Sequence, residues 1–182
     1  MQDISNRMKY EVKRSLKARS MRLTVHPDAR VVVTAPYFLG AQSIGRFVRN
    51  HARWVERRVD AAKNVRVVRL RRGEIPVLKK RAHEYASARC ARYAVALGIE
   101  FKKISIRAQR KRWGSCSRRG NLSFNYKIAA LPEHLAEYIV VHEVCHLTHF
   151  NHSRDFWNLV ALFIPDHHAR RKELRSTAFV FY

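Results

Sequence analysis

Residues 141–153 read VHEVCHLTHFNHS, and the reading of this stretch decides the rest. Four of the chain's ten histidines, His142, His146, His149 and His152, fall within eleven positions, with Glu143 among them. On an α-helix, positions i and i+4 lie about 40° apart around the axis and about 6 Å along it. His142 and His146 therefore project from one face, close enough to share one metal ion. Glu143, next to the first of them, can reach a water at that ion without ligating. The pattern is H-E-x-x-H, in which two histidines bind Zn²⁺ and the glutamate serves as general base. The preceding run YIVV is apolar on every side, so the helix is expected to be buried, where a charged Glu143 has little structural purpose.

A catalytic zinc takes three protein ligands and keeps one position open. His149 shares the helical face but lies about 10.5 Å along the axis from His142, too far for one straight helix to wrap around a single ion. The helix is therefore expected to end first and the chain to fold back, with Asn151 able to adopt the left-handed conformation that ends helices and Ser153 capping the next helix. His152, between the two helices, is the expected third ligand, and the full pattern becomes H-E-x-x-H-x₅-H. Asp155 and Glu173 are weaker acidic alternatives. His149 is read as a rim residue or as a histidine favoured by the helix C-terminal dipole, and Cys145 as packed. The metzincin pattern needs glycine where His149 stands and a methionine turn downstream, yet Met1, Met8 and Met21 all lie upstream.

Before the helix, FKKISIRA (101–108) and NLSFNY (121–126) alternate as strands do. They flank QRKRWGSCSRRG, a loop that carries Arg110, Lys111, Arg112, Arg118 and Arg119. No acid occurs from Phe101 to Tyr126. These five are the candidate anion-binding residues, with Trp113 either stacking on a base or packed in the core. NLSFNY is the candidate edge strand beside the site. Arg112, Tyr126, His149 and His168 are candidates for steadying an oxyanion.

Toward the N-terminus, MRLTVHP and RVVVTAP form an expected β-hairpin turning at Pro27–Arg30 within a β-rich part (1–40). From Ser43 to Val59 the period is helical. A further helix of about 20 residues should end at Gly98. Helices are also expected from Pro132, from Ser153 to Pro165, and over HHARRKELR; TAFVFY at the C-terminus has no assignment.

The chain has 182 residues, 47% hydrophobic and 10% aromatic, as a folded domain requires. Lys and Arg number 37 against 14 Asp and Glu, a formal charge of +23. Such an excess favours a polyanion, whether DNA, RNA or a nucleotide. The first residues, MQDISNRM, lack the apolar core of a secretory signal, and no apolar run approaches a membrane span. Three cysteines at no repeated spacing do not make a disulfide framework, so a cytoplasmic location is expected.

The stretch RWGSCSRRGNLSFNYKIAALPEHLAEYIVVHEVCHLTHFNHSRDFW (112–157) resembles the YgjP-like metallopeptidase family, related to the SprT-like and WLM zinc proteases. The match is specific over 101–175. RSLKARSMRLTVHPDARVVVTAP and FVRNHARWVERR resemble the family's N-terminal half. The resemblance implies a zincin-like α+β fold, in which a small mixed sheet packs on the H-E-x-x-H helix behind an N-terminal β-hairpin. It implies a single domain over 1–182 with a metal-site core at 101–175. It further implies one Zn²⁺ per chain on His142, His146 and His152, with Glu143 as base. The SprT and WLM relatives cleave proteins bound or crosslinked to DNA, a precedent that gives the basic loop a use. Three functions stay open: a zinc peptidase acting near nucleic acid, a metal-dependent nucleoside triphosphate phosphohydrolase, and a nucleic-acid-binding protein with structural zinc.

Overall fold

The computed structural model describes residues 9–182. The expected absence of a secretory signal falls mostly on residues 1–8 and lies outside them. The chain divides into two compact units. The first takes in the described residues up to Val67 together with Thr177–Val180, and the second takes in Val68–Ser176 with Phe181–Tyr182.

In the first unit, the expected hairpin is built by β2 (Arg22–Val25) and β3 (Val31–Pro36), paired antiparallel. Ala29, at φ 63°, and the His26 N–H donating to the Arg30 carbonyl at 2.8 Å close the turn. The preceding strand β1 (Glu11–Ser15) runs parallel to β3, so β3 is central. Val33 and Ala35, on one face of β3, pack on Ile44 and Val48 of α1 (Ala41–Asn50). The continuous helical period read from Ser43 to Val59 is in fact two helices, α1 and α2 (Ala52–Lys63). The break has a local cause at His51. Its ring Nδ1 donates to the Phe47 carbonyl at 2.8 Å, the group its own N–H would take in an unbroken helix. That N–H turns instead to Val48, 3.1 Å away. Strand β4 (Arg66–Leu70) follows, and the unit boundary falls within it.

The second unit holds the elements between residues 72 and 175. Helix α3 (Ile75–Leu97) ends at Gly98, whose φ of 62° needs no Cβ to be accommodated. Strands β5 (Lys103–Arg107), β6 (Gly114–Cys116) and β7 (Asn121–Asn125) form a mixed sheet in the order β5-β7-β6. Strand β7 is parallel to β5 and antiparallel to β6. The expectation that NLSFNY forms the edge strand is therefore corrected: it is central, bonded on both sides, and β6 holds the edge. The alternation hides this, because Leu122 and Phe124 are wholly buried while Ser123 meets Ser105 across the other face at 2.8 Å. A half-buried strand shows that pattern at an edge and at a centre alike.

Helix α4 (Glu133–Cys145) packs on the inner face of this sheet, and Leu135, Ile139, Val140, Val141 and Val144 join Leu122 and Phe124 in one core. Helices α5 (Arg154–Phe163) and α6 (His167–Arg175) complete the α+β arrangement, a small mixed sheet on the H-E-x-x-H helix. The C-terminal TAFVFY forms β8 (Thr177–Phe181), which makes a two-stranded sheet with β4.

Candidate metal centre

Helix α4 stops sooner than its sequence suggests. Regular helix ends at Cys145, not near His149, and Asn151 does not adopt a positive φ. Leu147 and Thr148 donate to carbonyls three residues back, at 2.9 and 3.2 Å, which tightens the last turn. The Thr148 hydroxyl also donates to the Cys145 carbonyl, at 2.9 Å. The chain then folds back, and Ser153 caps α5 by accepting from the Phe156 N–H at 3.4 Å.

This early turn carries His152 back over α4. One nitrogen from each of His142, His146 and His152 lies within 4.8 Å of the others. The Nε2 atoms of His142 and His152 face each other at 3.1 Å. His146 donates from Nδ1 to the His149 carbonyl at 2.8 Å, which leaves its Nε2 lone pair available and fixes the ring. His149 thus contributes its main chain to the site. The Nδ1 of His142 is buried without a partner, so that ring meets polar atoms only through Nε2. Burial, with the neighbouring His146, His152 and Arg171, pushes His142 down to about 3. Burial also lowers His152, helped by His146 and Arg171. In both His142 and His152 the shift favours the neutral imidazole, the form that binds metal. Three imidazoles converging on one point fit a Zn²⁺ with a fourth position free.

Helix α5 walls the cluster with aromatic rings. Phe156 stacks on His146, with centroids 4.4 Å apart, and meets His142 and His152 edge-on. Trp157 stacks on His152 at 5.4 Å. The F-W pair thus holds all three imidazoles by shape.

Glu143 is 6% exposed. Burial pushes its carboxyl up to about 8, against a smaller opposing pull from Arg112. It lies directly against β6: a Cβ built on Gly114 would fall 2.5 Å from Glu143 Cγ and 2.6 Å from Oε1. The glycine of W-G-S-C is there because the strand and the carboxylate occupy adjoining space. All three cysteines are raised, chiefly by burial, Cys90 and Cys145 to about 12 and Cys116 to about 11. They are protonated and remain outside the cluster.

A cleft of about 320 Å³ opens on His142, Glu143 and His152. Of the five candidate anion-binding residues, only Arg112 lines it. Arg110 and Lys111 precede it in the loop, whereas Arg118 and Arg119 occupy the tight turn at the far end of β6. Trp113 is half-buried, packs against the core and lines the cleft. Buried Asn125 holds the loop, donating to the Gln109 and Arg112 carbonyls at 2.7 and 3.0 Å. Among the oxyanion candidates, Arg112 alone lines the cleft; Tyr126 is in the core and His168 lies against Trp157. Glu173 bonds His134 at 2.9 Å, and neither it nor Asp155 joins the histidines.

The cleft also contains residues the sequence did not single out: Tyr138, Arg171 and Arg175. The i, i+4 spacing of the two arginines was the available signal. No helix among the described residues is long and apolar enough to cross a membrane.

Among solved structures, the chain is similar to the crystal structure of the metallopeptidase zymogen of Pyrococcus abyssi abylysin. Identity is 24% and the TM-score 0.44, over 50% of this chain and 90% of that one. Comparison with curated proteins finds no match. The model of the YgjP-like metallopeptidase domain matches residues 62–177, more than half of the chain and all of the centre just described. The chain belongs to the YgjP-like metallopeptidase domain family.

Proposed function

We propose that this protein is a zinc-dependent peptidase in which His142, His146 and His152 hold one Zn²⁺ and Glu143 is the general base. The observation that carries the reading is the convergence of three imidazole nitrogens beside a buried carboxylate in a cleft bordered by an open strand edge. A Zn²⁺ there supplies Lewis acidity, lowering the pKa of water at the site and polarising a carbonyl oxygen.

The chain's own groups account for the rest. The Trp113 carbonyl accepts from the Asn125 N–H at 2.8 Å, and the Ser117 N–H donates to the Asn121 carbonyl at 2.9 Å. In an antiparallel ladder, the alternate residues Gly114 and Cys116 must then aim their N–H and C=O away from β7. An extended peptide can pair with them. Glu143 takes a proton as the water oxygen adds to the carbonyl carbon. It then delivers that proton to the amine nitrogen as the C–N bond breaks, leaving an acid and an amine. Arg112, which lines the cleft, would bear on the developing oxyanion. The cations of residues 110–119 support work near a polyanion, and the protein acts as a single hydrolase domain.

A second reading, a nucleoside triphosphate phosphohydrolase, draws on one observation: Arg112, Arg171 and Arg175 together line the cleft. The test is to incubate Zn²⁺-loaded protein with unfolded casein, with and without DNA, and with a nucleoside triphosphate panel. Chelated protein is the control. Metal-dependent casein cleavage supports the peptidase. Phosphate release without casein cleavage overturns it in favour of the second reading.

A further inference from the structure

The cleft is more basic than amide hydrolysis requires. Arg112, Arg171 and Arg175 face it, against the one carboxylate of Glu143. Among the described residues, none of the three makes an ion pair. Arg170, the neighbour of Arg171 on the same helix, is tied to Asp166 at 2.9 Å, to Glu137 at 3.5 Å and to the His134 carbonyl at 3.0 Å. Arg171 and Arg175 are four residues apart and so share a face of α6, where like charges disfavour the helix. Arg175 in the last turn gains something from the helix dipole, but Arg171 lies a full turn back. Arg171 rests 5.1 Å over the Trp157 ring, which orients the guanidinium without neutralising it. Two unpaired arginines at one cleft, Arg171 oriented by Trp157 and Arg175 exposed beside it, suit a carboxylate, which each can grip with two hydrogen bonds.

We infer that the cleft selects peptides carrying an acidic residue close to the scissile bond, with Arg171 and Arg175 as the specificity-determining side chains. The inference rests on the peptidase reading. A peptide is favoured over other anions because the Gly114–Cys116 edge offers backbone pairing that only an extended chain can use. Tyr138 and Trp157 line the same cleft and provide apolar contact for the rest of the residue. A lysine there would meet two cations and a divalent metal, so discrimination comes from repulsion as well as attraction.

The test uses a series of uncharged peptides in which one Glu is walked along the sequence, each paired with its Gln counterpart. Binding is read by fluorescence anisotropy on Zn²⁺-loaded Glu143→Gln protein, and cleavage by mass spectrometry on the wild type. At one or two positions the Glu peptide should bind about 10-fold more tightly than its Gln partner, as a charge-assisted pair implies. The advantage should shrink with salt. Arg171→Gln with Arg175→Gln should bring the ratio near one, Arg175→Glu should shift preference toward Lys, and Arg170→Gln should leave the ratio unchanged. Equal binding of Glu and Gln peptides at every position overturns the inference, as does a preference that survives the double substitution. A nucleoside triphosphate that binds through these arginines, when no Glu peptide outbinds its partner, also overturns it. If the preference appears without cleavage of any peptide, the acidic subsite stands and the peptidase reading falls.

Discussion

At position 114, a single methyl group decides whether Glu143 can keep its place. Gly114→Ala puts a Cβ where Glu143 Cγ and Oε1 lie, so the carboxylate must move while the three histidines stay. The expected result is Zn²⁺ content near wild type with turnover lowered at least about 10-fold, since a base displaced by an ångström loses its alignment. Glu143→Gln should also retain the metal and lose about 10²-fold or more in turnover. Adding Gly114→Ala to it should then cost little further, because both act on the same group.

The buried carboxyl also makes the metal-free protein sensitive to pH. Its folded pKa, near 8, lies above the ordinary 4.5. The folded state therefore holds a proton that the unfolded chain releases. Stability should fall as pH rises from about 4.5 to about 8, then level off. Melting temperatures of chelated protein across that range should show this decline for the wild type and much less of it for Glu143→Gln. For the three proposed ligands, alanine at His142, His146 or His152 should abolish tight Zn²⁺ binding by metal analysis. His149→Ala should keep it, because His149 serves through its carbonyl.

The elements show where sequence suffices and where it does not. The i, i+4 spacing brought out His142 and His146, and the need for a third ligand led to His152. The place where α4 ends was not legible, because it depends on Thr148 and His146 bonding carbonyls of the turn. Similarly, β7 reads as a strand but not as a central one, since alternation reports the faces of a strand and not its neighbours. Arg171 and Arg175 look like any solvated basic pair until α6 is seen against the cleft. Asn125 is another residue whose role needs the fold. Its side chain spans Gln109, Arg112 and Lys127 with three hydrogen bonds and anchors the basic loop to β7. Asn125→Ala should destabilise the protein by about 1–3 kcal/mol through the two carbonyls left without a partner. Chemical denaturation would measure it.

For the molecule as a whole, the +23 charge is not gathered in one patch at the centre. Arg110, Lys111 and Arg112 lie at the cleft end of β6 and Arg118 and Arg119 at the other, while residues 53–81 carry eleven more Lys and Arg. If the five touch nucleic acid, replacing them with Gln should make the slope of log K against log salt shallower by about 0.9 for each duplex phosphate no longer neutralised. An unchanged slope would assign the polyanion interaction, if there is one, to the 53–81 segment.

The open edge of β6 has a consequence of its own. An edge that can receive a substrate strand can equally receive the same edge of another copy, and stacking of that kind leads to insoluble protein. The strand is three residues long and has arginines close by on both sides, features that discourage such self-pairing through shortness and mutual repulsion. The five-Gln variant should therefore scatter more light on concentration or mild heating than the wild type, even if its folded core is equally stable. The cations of this loop would then be gatekeepers of solubility, whatever else they bind.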